Sequence, residues 1–187
     1  MGSTSEIRKG LTIRYNSGIY SITEFLHVKP GKGPAFVRTK LKNLKTGKVL
    51  DNTFPSGAKI DIVRVERRKY QYLYREGDSM IMMHNETYEQ IPVLNTLIPN
   101  SKLVKEGEFV EILFNTEDEN ILTVDLPASV VLEITYTEPG IRGDTATNTL
   151  KPATVETGAE VRVPLFCNIG DKVKIDTSNG NYMERAK

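Results

Sequence analysis

Residues 29–36 read KPGKGPAF, a lysine held between two glycines that are themselves held between two prolines. Proline fixes φ and cannot donate to a sheet ladder, and glycine permits the positive φ of a tight reversal. Pro30, Gly31, Gly33 and Pro34 therefore predict a short, partly stiffened turn with Lys32 at its tip. The simplest reading of these eight residues alone is a hairpin loop carrying a solvated lysine. A Schiff-base role would need a pKa depressed by burial or by a neighbouring cation, and an extended tip is wet. The turn also holds no carboxylate to pair with the ammonium. Lys32 is thus suited to entering an electronegative pocket of another molecule, as a probe and not as a catalyst.

The remaining reactive side chains are few. Cys167 is the single cysteine, so an internal disulfide and a cysteine-rich metal site are excluded. It lies in VRVPLFCNIG, where strand alternation predicts a packed side chain and not a nucleophile. His27 precedes the lysine turn on a predicted strand, where it either packs or touches a polyanion; His84 is far from it in sequence. Glu117, Asp118 and Glu119 lack the alternating ligands and central glycine of a calcium loop, which leaves a solvated hairpin tip. The chain contains no phosphate-binding G-x-x-x-x-G-K-[ST] loop, dinucleotide fingerprint, acid–base pair or nucleophile with its base. No catalytic or metal-ligating residue is assigned.

Most of the chain follows the period-two pattern of strands, as in Ile60 and Ile62, Val110, Ile112 and Phe114, Val161, Val163 and Leu165, and Val173 and Ile175. Turn signals separate these runs: NSG at 16–18, KTGK at 45–48, NTEDEN at 115–120 and TSNG at 177–180. Only VLNTLIPNSKLV, 93–104, looks briefly helical, and Pro99 interrupts it. An all-β protein is expected, and its 187 residues exceed the usual single domain of roughly 100–150.

Charge divides the chain into three. Residues 1–64 hold 12 Lys and Arg against 4 Asp and Glu, a net of +8; residues 65–127 hold 6 against 12, a net of −6; residues 128–187 hold 7 against 8, a net of −1. A near-neutral whole thus conceals a basic first module and an acidic second one, which points to a polyanionic partner met by one end. No sequence repeat at a fixed period relates the modules, so any likeness among them must be structural. In FVRTKLKN, just after the lysine turn, alternation places Arg38, Lys40 and Lys42 on one face and Val37, Thr39 and Leu41 on the other. Stripe and tip together suit the tracking of a phosphate backbone, with affinity that weakens as salt rises.

The tip KPGKGPAF, followed by EPGIRGDTATNTLKPATVETGAEVRVPLFCNIGDKVKIDTSNGNYMERAK, resembles the bacterial elongation factor P family from end to end. Lys151, Ala153, Gly158, Val161, Val163, Pro164 and Gly170 fall at the spacings of the family signature, and Cys167 departs from it where an aliphatic residue is usual. The resemblance implies three β-barrels in an L shape whose outline is similar to a transfer RNA: an SH3-like (KOW-like) barrel over 1–64 and OB-fold barrels over 65–127 and 128–187. It further implies a non-enzymatic translation factor that binds the ribosome between the sites for peptidyl and exiting transfer RNA and relieves stalls at consecutive prolines. Lys32 would reach the CCA end of the P-site peptidyl-tRNA. In such factors the tip residue is often extended by a dedicated enzyme, and lysine here is compatible with a β-lysyl or an aminopentanol group, or with none; an arginine-linked sugar is disfavoured. Gly143, Asp144 and Thr145 match a motif that resembles a contact to the transfer RNA elbow, and Tyr182 and Arg185 match positions near it. No cofactor and no stable oligomer is implied, so a monomer is expected.

A competing reading is a general RNA-binding or transcript-elongation module, since SH3-like and OB barrels host many such roles. It would place aromatic platforms and basic charge on an OB face, whereas the second module is acidic. No stretch approaches the roughly 20 apolar residues of a membrane helix, and MGSTSEIRKG has no apolar signal-peptide core, so a cytoplasmic location is expected.

Overall fold

The structure is a computed structural model that describes residues 1–140 and 149–186. Its described residues form sixteen strands in three sheets. The first sheet contains β1 (Gly2–Ser3), β2 (Thr12–Tyr15), β3 (Gly18–Val28), β4 (Phe36–Asn43), β5 (Val49–Pro55) and β6 (Lys59–Ile62), in the order β1-β6-β2-β3-β4-β5. Every described pairing in it is antiparallel. Asn16 and Ser17, at φ 43° and 62°, close β2 onto β3, and two consecutive positive φ values are what the twist of a two-residue hairpin requires. Ile7, Leu11, Ile13, Ile22, Val37, Leu41 and Ile60 fill the core beneath.

The second sheet contains β7 (Val65–Glu76), β8 (Ser79–His84), β9 (Gln90–Leu94), β10 (Phe109–Asn115) and β11 (Asn120–Asp125), ordered β11-β10-β7-β8-β9. The third contains β12 (Ser129–Thr137), β13 (Leu150–Val155), β14 (Glu160–Pro164), β15 (Lys172–Asp176) and β16 (Tyr182–Arg185), ordered β14-β13-β12-β15-β16. Numbered within each sheet, both orders are the same: third, second, first, fourth, fifth. In the third sheet the two outer strands, β14 and β16, also approach each other, which curls the sheet toward a barrel. The likeness that no repeat in the sequence announces is thus present in the topology.

The helical pattern at 93–104 resolves into two single 3-10 turns, Asn95–Leu97 and Ser101–Leu103, on either side of Pro99. They form part of the link from β9 to β10. Leu103 from this link is 5% exposed and belongs to the core of the third sheet, beside Val130, Leu132, Val163, Val173 and Ile175. Asn100 Nδ2 donates to the Thr177 carbonyl at 2.7 Å, and Lys105 Nζ meets Glu156 at 2.9 Å.

The chain divides into two compact units: 1–67 with 113–123, and 68–112 with 124–187. Within the first, the acidic turn between β10 and β11 is not wholly solvated: Glu117 reaches Arg14 at 3.9 Å, and Arg14 also meets Asp61 at 3.4 Å. Cys167 is fully buried as expected, but it lies in the turn after β14 and not on a strand.

Candidate nucleic-acid interface

The lysine turn joins the two longest neighbouring strands of the first sheet. β3 and β4 remain paired out to Val28 opposite Phe36, so 29–35 form the turn itself. Its return side is anchored where Ser56 N–H donates to the Ala35 carbonyl at 2.9 Å. Pro30, Gly31, Lys32, Gly33 and Pro34 are all exposed. Of the two glycines, only Gly33 uses the left-handed region, at φ +106°; Gly31 stands in open space with an ordinary φ. Among the described residues Lys32 has no ion-pair partner. The turn places Lys32 at the exposed end of the β3–β4 hairpin.

Below the tip, β4 shows the expected alternation: Arg38, Lys40 and Lys42 are exposed, while Val37, Thr39 and Leu41 are buried. The Thr39 hydroxyl is satisfied by donating to the Asn52 carbonyl at 2.9 Å. The three cations are not equivalent. Lys40 Nζ lies 2.9 Å from Glu24 on β3 and opposite Asp51 on β5. The hydrogen bond to Glu24, helped by the charges of Glu24 and Asp51, holds the Lys40 ammonium above the usual lysine range. Arg38 instead lies over the Phe36 ring at 5.5 Å. The stripe therefore offers Arg38 and Lys42 as its available cations, with Lys40 neutralised between them. A shallow depression on this face is lined by Glu24, Leu26, Arg38, Lys40, Asp51 and Thr53. His27 is exposed on the opposite face and meets Phe25 edge to face at 5.6 Å.

Glu24 was not legible as part of this surface because β3 carries a bulge. Ile22 faces Leu41 and Glu24 faces Lys40, with Thr23 as the extra residue. Strict alternation from buried Ile22 would turn Glu24 inward; the bulge turns it outward against Lys40.

A second bulge organises the closing strand of the third sheet. Tyr182 lies opposite Ile175 and Arg185 opposite Val173, Met183 being the extra residue. Tyr182 and Arg185, three apart in sequence, consequently share a face that alternation would have denied them. Tyr182 packs partly against the third core, and burial pushes its hydroxyl above the usual tyrosine range. Arg185 is half exposed, over the Phe166 ring at 5.9 Å and 3.8 Å from Asp171. Phe166 was missed in the sequence; its only signal was an aromatic in a turn. Gly143, Asp144 and Thr145 lie outside the described residues.

Among the described residues no reactive constellation emerges. Burial pushes the Cys167 thiol upward, with Asp171 adding to the effect, so the sulfur is held as a thiol. Among the described residues no group of His, Cys, Asp or Glu is arranged to hold a metal, and no helix is long and apolar enough to cross a membrane. Each surface by itself is equipped to bind: in the first sheet a projecting cation with two further cations on the adjoining strand, and separately, in the third sheet, an arginine beside an aromatic.

The family models match in chain order: the elongation factor P KOW-like domain over 3–60, the elongation factor P OB domain over 65–124, and the elongation factor P C-terminal domain over 130–185. The chain is 64% identical to elongation factor P of Christiangramia forsetii and 61% identical to that of Flavobacterium johnsoniae, in each case over 187 residues and the full length of both chains. Among solved structures it is similar to eukaryotic translation initiation factor 5A from Methanococcus jannaschii. That likeness has a TM-score of 0.52 at 22% identity, covers 65% of this chain and 91% of the other, and speaks for the fold. An all-β chain of KOW-like and OB barrels with these relatives is a translation elongation factor. It belongs to the elongation factor P family.

Proposed function

We propose that the protein binds the ribosome between the peptidyl and exit sites and stimulates peptide-bond formation at consecutive prolines, with Lys32 set beside the CCA end of the P-site peptidyl-tRNA. The observation that carries this is the β3–β4 hairpin: it presents Lys32 at an exposed apex without an ion-pair partner among the described residues. Proline is a poor acceptor in its constrained geometry, and a stiff nascent chain misplaces the reacting ester. A cation that holds the transfer RNA end productively lowers an entropic barrier, and a tenfold gain needs only about 1.4 kcal/mol. The ribosome supplies the catalytic groups; this chain supplies position. Arg38, Lys42, Tyr182, Arg185 and the Gly143, Asp144, Thr145 segment are assigned to RNA, with Lys40 a lesser contributor. The exposed Lys32 amine is accessible to a dedicated enzyme for a β-lysyl or aminopentanol extension, and is equally compatible with none.

A cell-free reporter with three successive prolines tests the reading. The protein is expected to relieve the stall, and Lys32→Ala to abolish relief while leaving the melting temperature unchanged, because the side chain is exposed. A stall that persists with the parent protein, or relief by Lys32→Ala equal to the parent's, sinks the proposal. Intact mass of the native protein, with fragmentation of the peptide containing Lys32, decides the extension.

A further inference from the structure

Phe166 is an exposed aromatic at a position that a polar residue would occupy at less cost. It is 59% exposed in the turn between β14 and β15, and Ile169 in the same turn is 60% exposed. The turn is nonetheless firmly built. Asn168 N–H donates to Asp171 Oδ2 at 2.9 Å, Asn168 Nδ2 donates to the Phe166 carbonyl at 3.2 Å, and Gly170 N–H donates to Ile134 of β12 at 2.8 Å. Arg185 arrives from β16 with its guanidinium 5.9 Å from the centre of the Phe166 ring and one nitrogen 3.8 Å from the same Asp171. Half of the Arg185 side chain is left in solvent. An exposed ion pair of that length adds little to stability, and a ring that remains mostly wet adds little to a core.

We propose that Phe166 is a positioning residue that presents the Arg185 guanidinium to RNA, with the ring as one side of the platform and Asp171 as the restraint on its edge. Arginine's planar donors suit a phosphate, and an aromatic face beside them accepts a stacked base, a pairing of chemistries that nucleic-acid surfaces use. The choice of RNA as occupant rests on the function proposed above.

The test measures binding of the full-length protein to ribosomes carrying a P-site peptidyl-tRNA, across a range of salt. Arg185→Ala is expected to weaken binding about tenfold and to lower the salt slope by about one. Phe166→Leu, which keeps apolar bulk but removes the ring, is expected to weaken binding about two- to fivefold and to lower the slope in the same sense, while Phe166→Tyr restores both. The Phe166→Leu, Arg185→Ala double variant is expected to bind no worse than Arg185→Ala alone. Melting temperatures of all variants are expected to match the parent's. The proposal is overturned if Phe166→Leu binds like the parent, if its loss adds fully to that of Arg185→Ala, if Arg185→Ala has no effect, or if affinity falls with an unchanged slope, which would mark a protein surface as the occupant. The three-proline reporter is read separately: a parent protein that binds yet leaves the stall in place fails the function proposed above without touching the platform.

Discussion

Gly33 and Gly31 look equivalent in KPGKGPAF, yet the backbone asks different things of them. Gly33 sits at φ +106°, where any side chain is strained, while a Cβ at Gly31 meets nothing within 4 Å. Gly33→Ala is therefore expected to cost about 1 kcal/mol or to relax the turn and displace Lys32. A displaced Lys32 lowers stall relief in the three-proline reporter, whereas strain borne with the turn intact lowers the melting temperature alone. Gly31→Ala is expected to leave both stability and relief near the parent's; equal effects of the two substitutions would show that the turn does not fix the tip. The composition of the turn was legible because proline and glycine each have a backbone meaning that travels with the residue. The assignment of left-handed φ to one glycine was not, since it depends on how β3 and β4 enter the turn. Cys167 shows the same limit: its burial followed from being apolar and small, but the strand expected around it ends at Pro164.

At the scale of elements, period-two alternation gave the faces of β4 correctly and could say nothing of the strands beside it. The bulge in β3 brings Glu24 to 2.9 Å from Lys40, and Asp51 lies opposite Lys40 on β5. Releasing Lys40 should thus strengthen a surface that tracks phosphates. Glu24→Gln is expected to raise affinity for ribosomes and to steepen its salt dependence by a slope of about one, while Lys40→Ala costs less affinity than Arg38→Ala. A Glu24→Gln protein whose salt slope equals the parent's would show that this face does not meet RNA. Two bulges, in β3 and between β15 and β16, account for much of what was hidden, because one extra residue exchanges the faces of everything beyond it. The third sheet's Tyr182 and Arg185 became neighbours on one face only through the second of them.

At the scale of the whole chain, charge marks off a middle module ending near Pro127, while packing ties part of that module to the next. The link between β9 and β10 gives Leu103 to the core of the third sheet, Asn100 to the Thr177 carbonyl and Lys105 to Glu156, all within the compact unit of 68–112 and 124–187. None of this shows in the sequence, where Leu103 stands 25 positions before Ala128 in a segment that reads as a brief helix. Leu103 is 5% exposed, and truncating a leucine in such a core removes its transfer energy and leaves a cavity, a loss of about 2–5 kcal/mol. If the link is part of the third core, Leu103→Ala should hasten amide hydrogen exchange in β12 and β15, at Leu132 and Val173, by tenfold or more, about 1.4 kcal/mol per decade. Amides of the first sheet at Ile22 and Leu41, packed around a separate core, are expected to keep the parent's rates. Faster exchange confined to 95–108 would mean that the link only rests on the third sheet, and that Leu132 and Val173 owe their protection to their own module alone.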